Sequence, residues 1–260
     1  MLIGGIVLVV LAGVLFFFSN KQKQKAGELR LLEPAQAADL LSLQSEIAAE
    51  LGPGSFEQLC ELSGSVECAS PLESPFGKRA CVHYHTRVVR EYEETVTRRQ
   101  DGRDVTSVQK GSDTVSENRE SCAFSVRDAS GAIAVELERA ELDKLVQTVS
   151  RFEPSNENQA RFGSFTFNVM PHAGQRRTIG YRYEEHILPL DRKLTVLGPV
   201  NDKTGTLAAR SAERKLIVST RSREELVGSA LKTSKILLVV AVISALGGVA
   251  LAIAGVLRPY

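Results

Sequence analysis

The stretch Ser70–His85, SPLESPFGKRACVHYH, begins as a turn-rich loop and ends as a strand. Pro71 and Pro75 each fix φ near −65° and push the preceding residue into extended geometry. We expect Gly77 to supply a positive φ within the loop. From Ala80 onward two sets of side chains alternate, which is typical of a strand with two distinct faces. The stretch therefore predicts a rigid loop that feeds a strand.

The centre of the chain shows a mostly β pattern from Phe56 to Thr220. Short alternating runs recur at intervals near ten residues without regular helices between them. This pattern predicts a mainly β domain over residues 55–231, an antiparallel sandwich or a partly open barrel with short helices. Ser63-Gly64 is expected to separate two short strands. Arg98–Glu120 is expected to be a long exposed hairpin connection, and Glu138–Ser150 a short helix or loop.

Two uncharged apolar runs flank this domain, at residues 2–19 and 236–257. A membrane-spanning helix needs about 20 apolar residues, so both runs predict transmembrane helices. A cleaved signal peptide is the alternative for the first run, but no basic residues precede it and no small-x-small site follows it. Lysines and arginines concentrate on the domain side of both runs. The positive-inside rule then places the domain on the cytoplasmic side and both termini outside, in a bacterial inner membrane or its equivalent.

The juxtamembrane segment 20–54 is predicted to contain an amphipathic helix. Apolar residues recur at three- and four-residue steps over Pro34–Leu51, and Gly52-Pro-Gly54 ends the pattern. We expect this helix to pack on the β domain. A membrane-surface helix is the alternative, although the polar face has no lysine or arginine to bind anionic lipid.

The sharpest candidate for a metal site is the set Cys81, His83 and His85, spaced two residues apart on the predicted strand. These side chains would project from one face, and thiolate and imidazole ligands suit zinc or copper. A fourth ligand would be needed, and Arg87 continues the same face and would repel a cation. We therefore expect a polar strand face with a small buried thiol, and neither a metal nor a cofactor.

Composition argues against several classes of function. The formal net charge is +1, aromatic residues make up 6% of the chain and tryptophan is absent, so neither a basic field nor a base-stacking surface suggests nucleic acid. The serines occur outside any GxSxG setting, which gives a hydrolase triad no support. These patterns favour an interaction protein over an enzyme.

Cysteines and acidic clusters also receive structural interpretations. The four cysteines show no CxxC spacing, and in a cytoplasmic domain they are expected to be reduced and mostly buried. They are Cys60, Cys68, Cys81 and Cys122. The acidic clusters are expected to line solvated strand faces. They comprise Glu91, Glu93, Glu94, Glu184 and Glu185.

The stretch from Pro71 to Tyr84 fits the motif PLxSPxxxxxCVxY. This motif resembles a signature of the GIDE family, whose members include membrane-embedded ubiquitin ligases of mitochondria and chloroplasts with a GIDE, or BAM, domain. Five further blocks resemble the family in the same order: Gly64–Glu67, Ile187–Asp191, Leu194–Gly198, Leu216–Thr220 and Ser222–Leu226. The resemblance marks a set of motif and candidate partner-binding residues: Pro71, Leu72, Ser74, Pro75, Gly77, Cys81 and Tyr84.

The family ligases carry a RING domain after the last membrane helix, and a RING needs about eight zinc ligands, mostly cysteines. With four cysteines and only Arg258–Tyr260 after the second apolar run, we expect a RING-less form. The sequence thus predicts a two-pass membrane protein that presents a GIDE-like domain as a non-catalytic binding or scaffold module. Its partners would be the lipid bilayer and another membrane protein or a second copy. A ubiquitin ligase-like role by family and a metal-dependent hydrolase are the alternatives.

Overall fold

The computed structural model describes residues 2–52, 58–100, 102–155, 159–163, 165–168, 176–201, 203–211 and 215–257. Strands dominate the middle of the chain, and a long helix lies at each end. In chain order the elements are α1 (Leu2–Leu31), β1 (Glu33–Pro34), α2 (Ala37–Leu51), β2 (Leu59–Glu67), β3 (Leu72–Glu73), β4 (Ala80–Gln100), β5 (Arg103–Ser121), β6 (Phe124–Arg127), β7 (Ala132–Val135), β8 (Glu141–Asp143), β9 (Val146–Pro154), β10 (Gln159–Phe162), β11 (Phe165–Asn168), β12 (Arg176–Pro189), β13 (Lys193–Asn201), β14 (Thr206–Leu207), β15 (Ile217–Ser219) and α3 (Arg223–Leu257).

One sheet curls into a small barrel. β2 pairs with β6, β6 with β7, β7 with β14, β14 with β13 and β13 with β2, so the ring closes. The closure between β7 and β14 is a single parallel pair, Val135 with Leu207. Apolar side chains fill the barrel, and Ala37 and Leu40 of α2 join them from one side. The mainly β fold and the packing of α2 on the β domain are therefore confirmed.

The second sheet is built on β4 and β12. β12 lies between β4 and β9, while β5 and the short β3 pair with the other edge of β4. The β10–β11 hairpin supplies Ala160 and Phe162 to a cluster that also contains Val88, Tyr181 and Tyr183 from β4 and β12. This sheet holds the motif stretch, because β3 and the start of β4 are both part of it.

Several predicted strand boundaries were wrong. Arg98–Glu120 is not a long connection, because β4 continues to Gln100 and β5 begins at Arg103. These residues lack a core pattern since both faces of the hairpin are largely exposed there, yet continuous pairing with β4 makes them a regular strand. Glu138–Ser150, expected to be a short helix or loop, contains turn and loop residues but also contributes β8 and the start of β9.

Gly64 lies inside one continuous strand, β2, and does not separate two short ones. A Cβ at this position would lie 2.2 Å from the carbonyl oxygen of Arg127 on the neighbouring β6. The glycine is therefore required by the close approach of two barrel strands rather than by a turn.

α1 and α3 form an antiparallel pair with a seven-residue repeat of small or short buried side chains. Gly5 lies against Gly248, and the Ser19 hydroxyl donates to the Ser234 carbonyl oxygen at 2.9 Å. Residues spaced by seven along each helix are buried, which is the geometry of a left-handed supercoil with closely packed backbones. On α1 they are Gly5, Ala12, Ser19 and Ala26, and on α3 they are Gly248, Ala241, Ser234 and Val227.

Both helices run without a break from their apolar segments into the β domain. α1 extends well past residue 19, and α3 begins at Arg223, well before the second apolar run. The predicted juxtamembrane helix begins at Ala37, because Pro34 pairs with β2 as part of β1. The spans Ile3–Leu31 and Arg223–Gly255 are long and apolar enough to cross a membrane.

Candidate functional site

The loop between β3 and β4 folds around a buried carboxylate, that of Glu185 on β12. This side chain is fully buried and accepts hydrogen bonds from the Ser74 hydroxyl at 2.9 Å and from the Thr148 hydroxyl at 2.6 Å. The backbone N–H groups of Phe76 and Gly77 donate to it at 2.7 and 3.0 Å. Four donors thus compensate the loss of water around one carboxylate, which pins the loop to the sheet.

A glycine is required at position 77 because there is no room for a side chain, and not because the backbone has a positive φ. A Cβ there would lie 2.6 Å from a carboxylate oxygen of Glu185. The expectation of a positive φ at Gly77 was wrong, because the left-handed residue is the next one, Lys78, with φ of 53°. The Ser74 carbonyl accepts from the Lys78 N–H at 3.1 Å, and the Ser74 N–H donates to the Arg79 carbonyl at 2.9 Å. The loop is therefore closed by its own backbone as well as by Glu185.

Phe76 fixes the tip of the loop against an aromatic cluster. Its ring centroid lies 4.8 Å from that of Phe162 and 5.9 Å from that of Tyr183, in tilted and edge-to-face arrangements. Such pairs add stabilisation beyond the burial of apolar area. The loop thus has both a polar and an apolar anchor.

The structure separates the motif residues into anchors and exposed positions. Ser74, Cys81 and Tyr84 are buried, so they support the loop and cannot contact a partner directly. Pro71 is exposed, and Leu72, Pro75 and Gly77 are half-buried. Around these residues Glu73, Lys78 and Arg79 are exposed, and Lys78 pairs with Glu73 at 3.4 Å.

Cys81, His83 and His85 each engage a different partner. The Cys81 thiol lies 3.7 Å from the Leu72 carbonyl oxygen, and Nδ1 of His83 lies 2.7 Å from the Ser121 hydroxyl. Nε2 of His85 lies 2.7 Å from a Glu117 carboxylate oxygen. Within the described part of the chain, no group of three or more His, Cys, Asp or Glu residues could hold a metal ion.

Burial also sets the protonation states along this strand. Burial raises the pKa of the Cys81 thiol to about 11, with a further contribution from the nearby Glu185 carboxylate. Burial, followed by the positive charges of His85 and Arg119, lowers the pKa of His83 to about 4. At neutral pH the thiol is protonated and the imidazole is neutral, so the two do not form an activated nucleophile and base.

Cys68 and Cys122 form a pair that sequence spacing did not reveal. Their sulfur atoms lie 3.4 Å apart, although the residues are 54 positions apart in the chain. Both side chains are half-buried, and burial, followed by the hydrogen bond between the two thiols, raises the pKa of the Cys122 thiol. The predicted burial of the cysteines holds fully for Cys60 and Cys81.

The predicted solvated acidic faces are confirmed for four of the five glutamates. Glu184 pairs with Arg87 at 2.6 Å, and Glu91 and Glu93 pair with arginines of β12 on the same outer face, whereas Glu94 pairs with an arginine on the other face of the sheet. The prediction was wrong for Glu185. It shares the buried face of β12 with Tyr181, Tyr183 and Ile187, and this two-residue spacing was the signal that could have identified it. The three remaining pairs are Glu91–Arg182, Glu93–Arg177 and Glu94–Arg176.

Among the described residues, the β4–β5 hairpin extends beyond the rest of its sheet. β4 has 21 residues and β5 has 19, and the pairing of β4 with the described part of β12, which begins at Arg176, reaches as far as Glu94. We call residues 95–108 the arm. Val105 and Val108 on the arm are 46% and 62% exposed. The arm is therefore a two-stranded ribbon with exposed apolar side chains, Val108 at its base and Val105 farther out.

These features define a mainly β domain carried on a paired set of two apolar helices that are long enough to cross a membrane. The chain belongs to the GIDE family: the family model, described as E3 ubiquitin ligase, matches residues 93–254, which is more than half of the 260 residues. The match begins after the loop and spans the whole arm, the second half of the β domain and nearly all of α3. No curated protein and no solved structure matches the chain.

Proposed function

We propose that this protein is a non-catalytic, membrane-anchored binding module or scaffold, in which α1 and α3 cross the bilayer and the GIDE domain presents the arm to a protein partner. The arm is the observation that carries the proposal. A two-stranded ribbon is only marginally stable in water by itself, and exposed apolar side chains along it favour association. Elsewhere, side chains of types that can act in catalysis, such as Glu185 and His83, form hydrogen bonds within the fold.

A photoreactive amino acid at Val108 tests the arm directly. The full-length protein would be expressed in its native membrane, irradiated, and its adducts identified by mass spectrometry. We expect adducts with one dominant protein from position 108. The matched control is the same amino acid at Arg192, which is also exposed but lies in the turn after β12. Equal labelling from both positions, or none from the arm, would contradict the proposal.

The loop provides a second presenting surface, at the opposite end of β4 from the arm. Its rigid backbone holds Pro71 outward, and the charged residues Glu73, Lys78 and Arg79 surround it. Substituting Pro71 and Pro75 is expected to reduce partner capture while the domain stays folded. Unchanged capture would restrict the binding surface to the arm.

Orientation is part of the proposal. The excess of lysine and arginine on the domain side of both apolar segments favours a cytoplasmic domain with both termini outside, as in a bacterial inner membrane or its equivalent. A Val108→Cys variant in sealed right-side-out vesicles should resist a membrane-impermeant maleimide and react only after lysis. Reaction before lysis would show that the domain lies on the outer side of the membrane, opposite to the proposed orientation.

A ubiquitin ligase-like role is the second candidate, favoured by the family description. In this case the GIDE domain would bring a bound partner to a RING supplied by another protein. We expect no ubiquitin conjugate when the chain is incubated with activating and conjugating enzymes alone. A ubiquitin conjugate formed under these conditions would contradict the non-catalytic role and show that the chain acts as a ligase.

A further inference from the structure

Within the described part of the chain, β5 leaves one edge unpaired along its full length. It pairs with β4 on one side, and among the described residues no strand pairs with the other side. All residues from Arg103 to Lys110 and from Glu117 to Ser121 are exposed. An unpaired edge of 19 residues is a ready template for strand addition, because its backbone N–H and C=O groups repeat at regular intervals.

A bulge at Val115 changes which side chains of β5 share a face. Ser116 lies opposite Val88 and Thr114 lies opposite Val89, so β5 has one extra residue here. As a result Arg103 and Glu120 both lie opposite even-numbered residues of β4, although one has an odd and the other an even residue number. Asp104 and Arg119 both lie opposite odd-numbered ones. The side chains of Arg103 and Glu120 therefore lie on one face of the sheet, and those of Asp104 and Arg119 lie on the other.

We infer that β5 pairs antiparallel with β5 of a second copy of this chain, about a two-fold axis at Gly111. This inference rests on the binding role proposed above and names the partner. A two-fold axis normal to the sheet keeps each side chain on its own face, so only residues that share a face can lie opposite one another. The register then places Arg103 opposite Glu120, Asp104 opposite Arg119, Ser107 opposite Ser116, Val108 opposite Thr114 and Lys110 opposite Ser112.

Charge complementarity selects this register. Both pairs at the ends of the strand join opposite charges, and the two-fold axis repeats each of them, which gives four attractive pairs. Each bulged Val115 falls between Ser107 and Val108 of the other copy, so the ladder is interrupted symmetrically. A shift by two residues, the smallest that keeps the faces matched, places Asp104 opposite Glu117 in one direction. In the other direction it moves Arg119 opposite the neutral Thr106.

The charged ends of β5 are able to take these partners. Arg119 contacts Glu117 and Glu120 accepts from the Tyr84 hydroxyl at 2.5 Å, but both side chains remain exposed at the free edge. Asp104 lies opposite Arg99 within its own hairpin and is also exposed. An unrelated partner has no reason to match this order of charges, whereas a second copy provides it by symmetry.

A charge exchange on the full-length protein tests the pairing. Asp104→Arg and Arg119→Asp each turn two attractive pairs into repulsive ones and should weaken the dimer about tenfold or more. The double variant restores opposite charges in both pairs and should recover the wild-type affinity. Arg192→Asp, a charge reversal at an exposed turn away from β5, should have no effect. Particle mass in lipid nanodiscs and in detergent, measured against protein concentration, reports the dimer.

Disulfide trapping gives an independent readout of the register. Ser107→Cys combined with Ser116→Cys should give a crosslinked dimer on mild oxidation, and either substitution alone should not. A monomeric wild-type protein, or a dimer that ignores both single charge reversals, would overturn the pairing. If the wild-type protein is monomeric while position 108 still crosslinks to another protein, the binding module stands and only the second copy is excluded.

Discussion

Mild oxidation of the β domain should join Cys68 and Cys122. Their sulfur atoms are 3.4 Å apart, and a disulfide bond of about 2 Å requires only a small further approach. Oxidised glutathione supplies the oxidant: the two thiols lose two electrons and two protons, and two molecules of glutathione are released. The raised pKa of Cys122 leaves little thiolate at neutral pH, so the reaction should accelerate as the pH rises toward 9.

The separation of 54 positions sets the size of the effect. Closing a loop of this length in the unfolded chain should stabilise the folded domain by about 4 kcal/mol, if the native geometry accepts the bond without strain. For a domain of this size the melting temperature would rise by on the order of 10 °C. The bond would join the end of β2 to the β5–β6 junction, next to the loop.

The assay is thermal denaturation of the full-length protein in detergent, with and without oxidation, together with peptide mapping of the disulfide. Cys68→Ser is the matched control, because it removes one partner and should abolish the shift. A mapped Cys68–Cys122 bond without any gain in stability would refute the entropic reasoning. The same bond in membranes isolated under thiol-blocking conditions would instead argue against a cytoplasmic domain.

Three further predictions concern the loop, the helix pair and pH. Glu185→Ala leaves four donors without their acceptor and should cost about 3 kcal/mol in chemical denaturation; a loss below about 1 kcal/mol would show that the carboxylate does not hold the loop. Gly248→Leu should destabilise the α1–α3 pair by about 2 kcal/mol in thermal denaturation, whereas Gly247→Leu, where nothing lies within 4 Å, should not. Equal effects would contradict the packing. Because the pKa of His83 falls from 6.5 to about 4 on folding, the unfolded chain binds more protons between these pH values. Stability should fall by up to about 3 kcal/mol as the pH drops from 6.5 to 4, and His83→Gln should flatten this part of the pH profile.

The predictable parts of the fold are those in which local pattern and tertiary environment agree. The apolar runs and the alternation in β4 and β12 predict helices and strands that the structure contains. The resemblance carried by the PLESP loop and the later blocks led to the family that the comparison shows. In these segments one face is buried along the element, so side-chain periodicity reports the secondary structure.

The errors come from residues whose role depends on distant partners. β5 lacks a buried face over its outer part, so its strand conformation follows from pairing with β4 and leaves no alternation in the sequence. Gly64 and Gly77 suggested turns, but each is required by an atom more than 60 positions away. The thiol pair and the carboxylate inside the loop likewise join segments that only the folded chain brings together.

The unbroken helices also determine where the domain can act. From Ser19 to Leu31, α1 rises about 18 Å at 1.5 Å per residue, and α3 accompanies it in contact. Arg223 ties this stem to the domain, since it donates to the Leu32 carbonyl oxygen at 2.6 Å and pairs with Glu61 at 3.1 Å. A domain on a flexible tether can take many positions above a membrane, but if α1 and α3 cross the bilayer as proposed, this domain would be held at a fixed distance from the lipid surface. The distance of a partner's binding segment from the bilayer would therefore decide whether the domain can bind it. A protein whose binding segment lies much closer to the bilayer, or much farther from it, would not be reached.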